Sequence, residues 1–258
     1  MQGHRHTKAC MCRLCSSSGA LGCLTLLVSA RDMTSSTLRA EQACWLERRP
    51  SASALRGLLR ELTRGAECWP SPRAPQIEWH EGTAESLPYP DRRFDAVVSQ
   101  FGLMFFTERS QALREMIRVL RPGGKMSIAV WDSLENSEAY PVEVELLERL
   151  AGIAAANALR APFVLGNKEA LIALFEDSGV QSVGVATKVG TARFPSIRTM
   201  VEADLRGWLP VMGVLLEEEQ IQSILEEAES ALADYVTEEG QVVFNSPAHI
   251  VTGVAGAA

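Results

Sequence analysis

The chain has no apolar run close to the roughly 20 residues that a membrane-spanning helix requires. Its best apolar stretch, Leu21 to Val28, is short. The Cys- and Ser-rich residues before it, with no convincing small-residue cleavage site, argue against a secretion signal. The expected location is therefore cytoplasmic, with no membrane span. Cysteine stops early: all 6 lie at or before Cys68. A disulfide framework belongs to short secreted chains, not to one irregular third of a longer one. Histidine is scarce, with 4 in 258 residues. His4, His6, Cys10, Cys12 and Cys15 are the only metal-like cluster, and no second ligand pair stands at a standard spacing, so no metal site is expected. There is no G-x-S-x-G, no P-loop and no H-E-x-x-H, so hydrolase and kinase chemistry lack support.

An excess of positive charge is also missing. The net charge is -7, which argues against general nucleic-acid affinity. The balance is uneven. Residues 1–73 hold 11 Lys and Arg against 5 Asp and Glu, whereas residues 74–258 hold 14 against 27. The chain therefore divides into an irregular segment, 1–73, and an orderly domain, 74–258. Hydrophobic content of 47% with 22% charged residues suits one large globular domain.

What is present is concentrated between Phe94 and Trp131. Phe94, Ala96, Val97 and Val98 form a short apolar run ending at Ser99-Gln100, the pattern of a strand covered on both faces. Leu113, Met116, Ile117 and Leu120 then recur at three- and four-residue spacing, the stripe of a helix. Arg114, Glu115 and Arg118 fall on its outer face. Arg118 and Arg121 suit the negative end of its dipole. Pro122-Gly123-Gly124 stops the helix, and Met126 to Trp131 is a second buried strand. Strand, helix and strand with short links make a βαβ unit with a right-handed crossover.

These residues also carry a family likeness. FDAVVSQFGLMFF and REMIRVLRPGGKMSIAVW resemble the fourth-strand-to-fifth-strand region of class I S-adenosylmethionine-dependent methyltransferases. The nearest flavour is the ubiquinone- and menaquinone-biosynthesis-like C- and O-methyltransferases. Gly82 to Asp91 resembles the same family's loop after its third strand. The resemblance runs from about Pro75 to Ala258. It implies an α/β, Rossmann-like, doubly wound sheet, mostly parallel with a reversed C-terminal strand. It implies S-adenosyl-L-methionine as cofactor and a small-molecule acceptor, with no nucleic-acid partner. It also implies a cofactor site. Gly82, Thr83, Ala84 and Glu85 would face the adenine, Thr83 standing where the family commonly has an acid. Ser99, Gln100 and Phe101 would line the methionine portion, because ligands of open α/β sheets bind beyond the carboxyl ends of the strands. Phe105 or Phe106 is expected to pack under the next helix, and the rest of that loop to shape an apolar pocket. No catalytic residue is identified. His80 and His249 are the few candidate bases, and methyl transfer needs a base only when the acceptor must lose a proton.

One family element is absent. A strand, an acid and a glycine-rich turn should precede the second strand, so that the backbone approaches the cofactor. Ser18 to Gly22 is the nearest match and lacks both the acid and a preceding strand. The N-terminal part of the sheet is therefore expected to be missing or divergent. A displaced reading frame would explain this. With codons chosen for the purpose, Thr34 to Leu46 read from the third base becomes Val-Ile-Asp-Val-Ala-Cys-Gly-Thr-Gly-Val-Leu-Ala. Glu67 to Pro72 becomes Met-Leu-Ala-Val-Ala. The alternative is a non-catalytic remnant or interaction module without the glycine-rich loop. Losing the first strand would also expose the central edge of the sheet.

Elsewhere, Thr34 to Arg49 and Leu55 to Leu62 are weakly patterned helices, and Gln76 to Glu81 alternates as a strand. Helices are expected over Ala139 to Ala158, over Glu169 to Ser178 with Asn167 as cap, over Ser196 to Trp208 and over Glu217 to Leu232. The helices around 196–232 are insertions. Strands are expected at Val183 to Thr187, Thr191 to Phe194, Val242 to Phe244 and His249 to Thr252. Gly253 to Ala258 should fray.

Overall fold

A computed structural model describes residues 8–15, 22–29 and 76–256 of the chain, with side chains from His80 onward except Glu81. Seven strands form one sheet in the order β3-β1-β2-β4-β5-β7-β6. They are β1 (Lys8–Cys15), β2 (Gly22–Ser29), β3 (Gln76–Gly82), β4 (Phe94–Gln100), β5 (Leu120–Trp131), β6 (Gln181–Phe194) and β7 (Val242–Val254). β1 runs parallel to β3, and β4 runs parallel to β5. β7 is antiparallel to both β5 and β6. β2 is antiparallel to both β1 and β4. Five strands therefore point one way, and β2 and β7 point the other. The architecture is Rossmann-like α/β with the expected reversed strand β7, and it diverges at its N-terminal end through β2.

The predicted βαβ unit is present. Helix α1 (Arg109–Val119) buries Ala112, Leu113, Met116 and Val119 between β4 and β5. Its end differs from expectation. The helix stops at Val119, so Arg121 lies in β5, where its guanidinium meets Asp95 at 2.7 Å. Pro122-Gly123-Gly124 is absorbed as an irregularity of that strand: Phe94 pairs with Leu120, but Ala96 pairs with Lys125. Gly123 takes φ +74, in the left-handed region, and donates its N–H to Ala255. Ala255 in turn donates to Gly124 and is buried, so Gly253 to Ala255 are held in place rather than frayed.

Gly152, at φ +86, splits the long helix predicted over 139–158 into α2 (Ala139–Ala151) and α3 (Ile153–Arg160). Helix α4 (Lys168–Asp177) starts as expected, with Ala170 N–H donating to the Asn167 side chain at 2.8 Å. The expected strand pairs at 183–194 and 242–252 are two single long strands, because β6 and β7 form an unbroken antiparallel ribbon from Gly184 to Phe194. Helix α5 (Ile197–Ala203) is capped by Ser196 and opens into a π-helical turn, Asp204–Trp208, rather than continuing regularly. Helix α6 (Glu218–Ala231) begins with a reciprocal capping box between Glu217 and Gln220.

The described residues form two apolar cores. One packs α1 and α4, through Leu171 and Phe175, on the sheet face carrying Met126, Ile128 and Val130. The other is helical. It joins α2, α3, α5 and α6 to Val242 and Phe244, at the end of the β6–β7 ribbon that overshoots β5. The second core is thus a cap at the carboxyl edge of β5. Glu138 fastens it, since its carboxylate accepts from the N–H and side-chain amide of Asn245 at 2.6 and 2.9 Å.

Three sequence expectations lie outside the described residues: the helices at 34–49 and 55–62, the segment of the displaced frame, and His4 with His6. Cys10, Cys12 and Cys15 stand on β1, so residues 1–73 do contain regular strands. The central edge is not open either, because β2 pairs Thr25 to Val28 with Ser99 to Ala96.

Candidate functional site

The seven residues expected to hold the cofactor fall in two groups at one edge of the sheet. β3 and β4 point the same way, so Gly82 and Gln100 end their strands on the same side. Two strands lie between them, which separates the groups by about 14 Å at the usual strand spacing.

In the first group Gly82 is half-buried, Thr83 exposed, Ala84 fully buried and Glu85 half-buried. A tight turn forms, with Ser86 N–H donating to Thr83 C=O at 3.3 Å. Glu85 reaches the start of α1. Its carboxylate accepts from Glu108 N–H at 3.4 Å and its carbonyl from the Gln111 side chain at 3.5 Å. A carboxylate at that place also suits the positive helix terminus.

From there the connection runs down α1 to the start of β4, pinned by two residues that periodicity had put on the outer helix face. Arg118 donates twice to Glu115 at 2.7 Å, to Asp91 at 2.7 Å, and to the carbonyls of Tyr89 and Leu87 at 2.8 and 3.1 Å. Glu115 also accepts Leu87 N–H at 2.8 Å. The paired guanidinium holds the Glu115 carboxyl below its ordinary range, and the same bond pushes the Arg118 pKa up. The outer face of α1 is therefore the anchor of the loop that carries Thr83 to Glu85.

In the second group Ser99 is buried, Gln100 exposed and Phe101 half-buried. Phe101 adopts φ +52, rare for a bulky residue, and its N–H donates to Ala129 C=O at 2.9 Å. Its ring stacks on Trp131 with centroids 3.9 Å apart and planes 8° from parallel. Phe106 is buried as expected. Leu103 and Met104 are buried too, so they fill the core instead of shaping a pocket. The loop residue that meets the cap is Phe105, whose ring lies 5.4 Å from Trp208. The Trp208 indole N–H is fixed on Ala158 C=O at 2.8 Å.

Neither histidine is placed as a base. His80 is exposed and edge-on to Tyr89. His249 is fully buried. Its Nε2 lies 2.8 Å from Gly166 C=O and 3.0 Å from Asp132 Oδ1, and its Nδ1 lies 3.1 Å from Thr187 Oγ1. Nε2 faces two acceptors and so carries hydrogen. The ring ties β7 to β6 and to the loop after β5. Beside it, Asp132, Ser133, Asn136 and residues 166–169 line a polar hollow of about 290 Å³.

The cap holds a group that the sequence reading passed over. Glu143 of α2 is fully buried, and no donor reaches either carboxylate oxygen. Its neighbour is the carboxyl of Asp204, at the head of the π-helical turn. Burial, then the Asp204 charge, push the Glu143 carboxyl well up from its ordinary value. Burial likewise raises the Tyr140 phenol one turn earlier. The signal was present in the sequence, because Glu143 shares a helical stripe with Ala139, Leu146 and Leu147.

The residues fit S-adenosylmethionine only in part. Polar loops stand at the carboxyl ends of β3 and β4, where the family likeness would put the cofactor's adenine and methionine ends. The ribose end needs an acid-bearing, glycine-rich turn leaving the strand beside β4 at that same edge. β2 fills that slot and runs the other way, so its carboxyl end, Ser29, lies at the opposite edge. Gly22 opens β2, and β1 precedes it; among the described residues, no acid-bearing, glycine-rich turn stands at the needed edge.

Comparison with known proteins matches residues 55–128 to the methyltransferase domain family. The match begins upstream of Pro75 and ends within β5. Over this segment the chain is similar to that family. Among curated proteins, the ubiquinone/menaquinone biosynthesis C-methyltransferase UbiE of Hahella chejuensis is 48% identical over 69 residues, which cover 26% of this chain and 28% of that protein. The enzyme of the same description from Escherichia fergusonii is 33% identical over 117 residues, covering 42% and 47%. The chain thus spans under half the length of either relative. Among solved structures, the YcgJ protein of Bacillus subtilis overlaps 81% of this chain and 80% of its own at 16% identity, with a TM-score of 0.45. Among the described residues, no helix is long and apolar enough to cross a membrane.

Proposed function

We propose that the chain binds S-adenosylmethionine at the carboxyl edge of the sheet and directs its methyl group to a small-molecule acceptor. The observation that carries this is the methyltransferase-domain match over β3, β4, α1 and most of β5, the elements that bear both groups of candidate residues. In this reading Gly82 and Thr83 lie along the adenine, Thr83 accepts from its amino group, Ala84 N–H meets a ring nitrogen, and Glu85 holds the turn. Ser99, Gln100 and Phe101 line the methionine end. The sulfonium supplies an already activated methyl group. The chain's part is alignment and exclusion of water, and orientation of this kind is worth several kcal/mol of barrier. No base is assigned.

A second reading is a non-catalytic methyltransferase remnant, and the reversed β2 favours it. Titration of the purified chain with S-adenosylhomocysteine, followed by thermal unfolding, separates the two. A ligand at about 100 times its Kd stabilises the folded state by about 2.7 kcal/mol, a rise of several degrees. A flat melting temperature up to millimolar ligand would leave the remnant as the correct reading.

A further inference from the structure

We propose that the polar hollow at the carboxyl end of β5 binds a small zwitterion, the ammonium and carboxylate of a free α-amino acid, at a place separate from the proposed cofactor site. The hollow measures about 290 Å³ and lies between the loop after β5 and the start of α4. None of the seven candidate cofactor residues lines it. One wall carries a carboxylate with an oxygen to spare. The Asp132 side chain is only 10% exposed, and its Oδ1 already accepts from Ser133 N–H at 2.7 Å, from the Asn136 amide at 3.1 Å and from His249 Nε2 at 3.0 Å. Its Oδ2 meets no donor among the described residues and is not sealed from solvent, so it is the atom through which Asp132 faces the hollow. Asn136 spends its amide nitrogen on Oδ1, which leaves its oxygen as a second acceptor on the same wall.

The other wall is positive. The N–H groups of Lys168 and Glu169 open α4, so they have no acceptor within the helix, and the next, of Ala170, is taken by Asn167. These groups form the positive end of the helix dipole, and Lys168 adds a full charge. A plain cation is opposed by this wall. A plain anion is opposed by Asp132 and by Glu169, which lies exposed on the rim. A ligand that carries an ammonium and a carboxylate a few ångströms apart satisfies both walls. The ammonium donates to Asp132 Oδ2 and the Asn136 oxygen, and the carboxylate accepts from the α4 amides and Lys168. The walls are also fixed relative to each other. Gly166 packs on the backbone of Asp132 and Ser133 with no room for a side chain, and its carbonyl lies 2.8 Å from the buried His249 ring. Little ordering is left for the ligand to impose, which lowers the cost of binding.

L-Serine and two of its fragments separate the charges: ethanolamine lacks the carboxylate, and 3-hydroxypropanoate lacks the amino group. Titration into the full, isotope-labelled chain at neutral pH and constant ionic strength reads binding by magnetic resonance, at the amides of Ser133, Lys168 and Glu169 and at the Asn136 side chain. Serine should shift these signals saturably. Each fragment should bind at least about tenfold more weakly, because each loses one set of charge-assisted hydrogen bonds. Asp132→Asn should weaken serine at least about tenfold without weakening 3-hydroxypropanoate, and the His249 ring N–H signal checks that its surroundings are intact. Lys168→Ala, on the exposed start of α4, keeps the test open if Asp132→Asn does not fold. It should weaken serine about two- to fivefold without weakening ethanolamine. No saturable response to serine would overturn the proposal. So would a fragment that binds as tightly as serine, or an undiminished affinity in a folded Asp132→Asn or in Lys168→Ala. Competition between S-adenosylhomocysteine and serine would assign the hollow to the cofactor and overturn it as a separate site.

Discussion

Replacing Arg118 with Met tests how the loop bearing Thr83 to Glu85 is held. The substitution keeps most of the aliphatic stem and removes five hydrogen bonds. Their values differ. The bond to Asp91 counts for little, because that carboxylate is 70% exposed and surface pairs contribute about 0–1 kcal/mol. The two bonds to Glu115 matter more, because its side chain is only 13% exposed and would keep a single partner, Leu87 N–H. Removing one member of a fully buried pair costs about 3–5 kcal/mol. Arg118 itself is 30% exposed, so water recovers part of that loss. The carbonyls of Leu87 and Tyr89 also lose a charged donor. The expected destabilisation is about 2–3 kcal/mol, read as a lower urea midpoint at unchanged slope. The pH dependence adds a second constraint. The Glu115 pKa lies below its unfolded value. Its stabilisation is therefore present above the ordinary carboxylate range and is lost as pH falls through the lowered value. The gap between the parent protein and the Met variant should accordingly narrow in acid. A loss under about 0.5 kcal/mol, or a gap that widens as pH falls, would refute the assignment of Arg118 as the loop's anchor.

Two further substitutions probe the elements around the candidate site. In Gly166→Ala, the new methyl would overlap backbone atoms of Asp132 and Ser133, which cannot rotate away. An overpacking loss of at least about 2 kcal/mol is expected in chemical denaturation, with exchange of the His249 ring N–H speeding up as its Gly166 partner shifts. In Asn167→Ala, α4 loses its cap bond and about 1 kcal/mol, whereas Asn167→Asp should stay within a few tenths of the parent, both measured by thermal melts.

The elements legible in the sequence were those whose own side chains set their period. β4, α1 and β5 followed from Val-rich runs and a three-four spacing, and the Asn167 cap from one polar side chain ahead of an apolar helix. Positions decided by neighbours were read less well. Arg118 and Glu115 sit on the polar side of α1 by spacing, yet the connection from β3 lies along that side and half-buries them. Glu143 was passed over although its place on the apolar stripe of α2 was legible, because spacing does not show what a lone acid there will face. The breaks fell differently from expectation for similar reasons. Pro122 and the two glycines are carried within β5 because its neighbours hold the strand on both sides, while Gly152 divides a helix that spacing alone would continue.

By itself, the sequence from Pro75 onward determined the class of fold, the βαβ unit at its centre and the position of the loops that follow β3 and β4. Local periodicity and turn residues are enough for that, since each acts over a few positions. Only the tertiary structure decided the direction of β2 beside β4, the joining of β6 and β7 into one ribbon, and the burial of Glu143 against Asp204. These depend on which distant segments meet, and strand direction in particular leaves no trace in the spacing of apolar residues. A strand of the same pattern can pair either way, and the way it pairs here sets which edge of the sheet its following turn reaches.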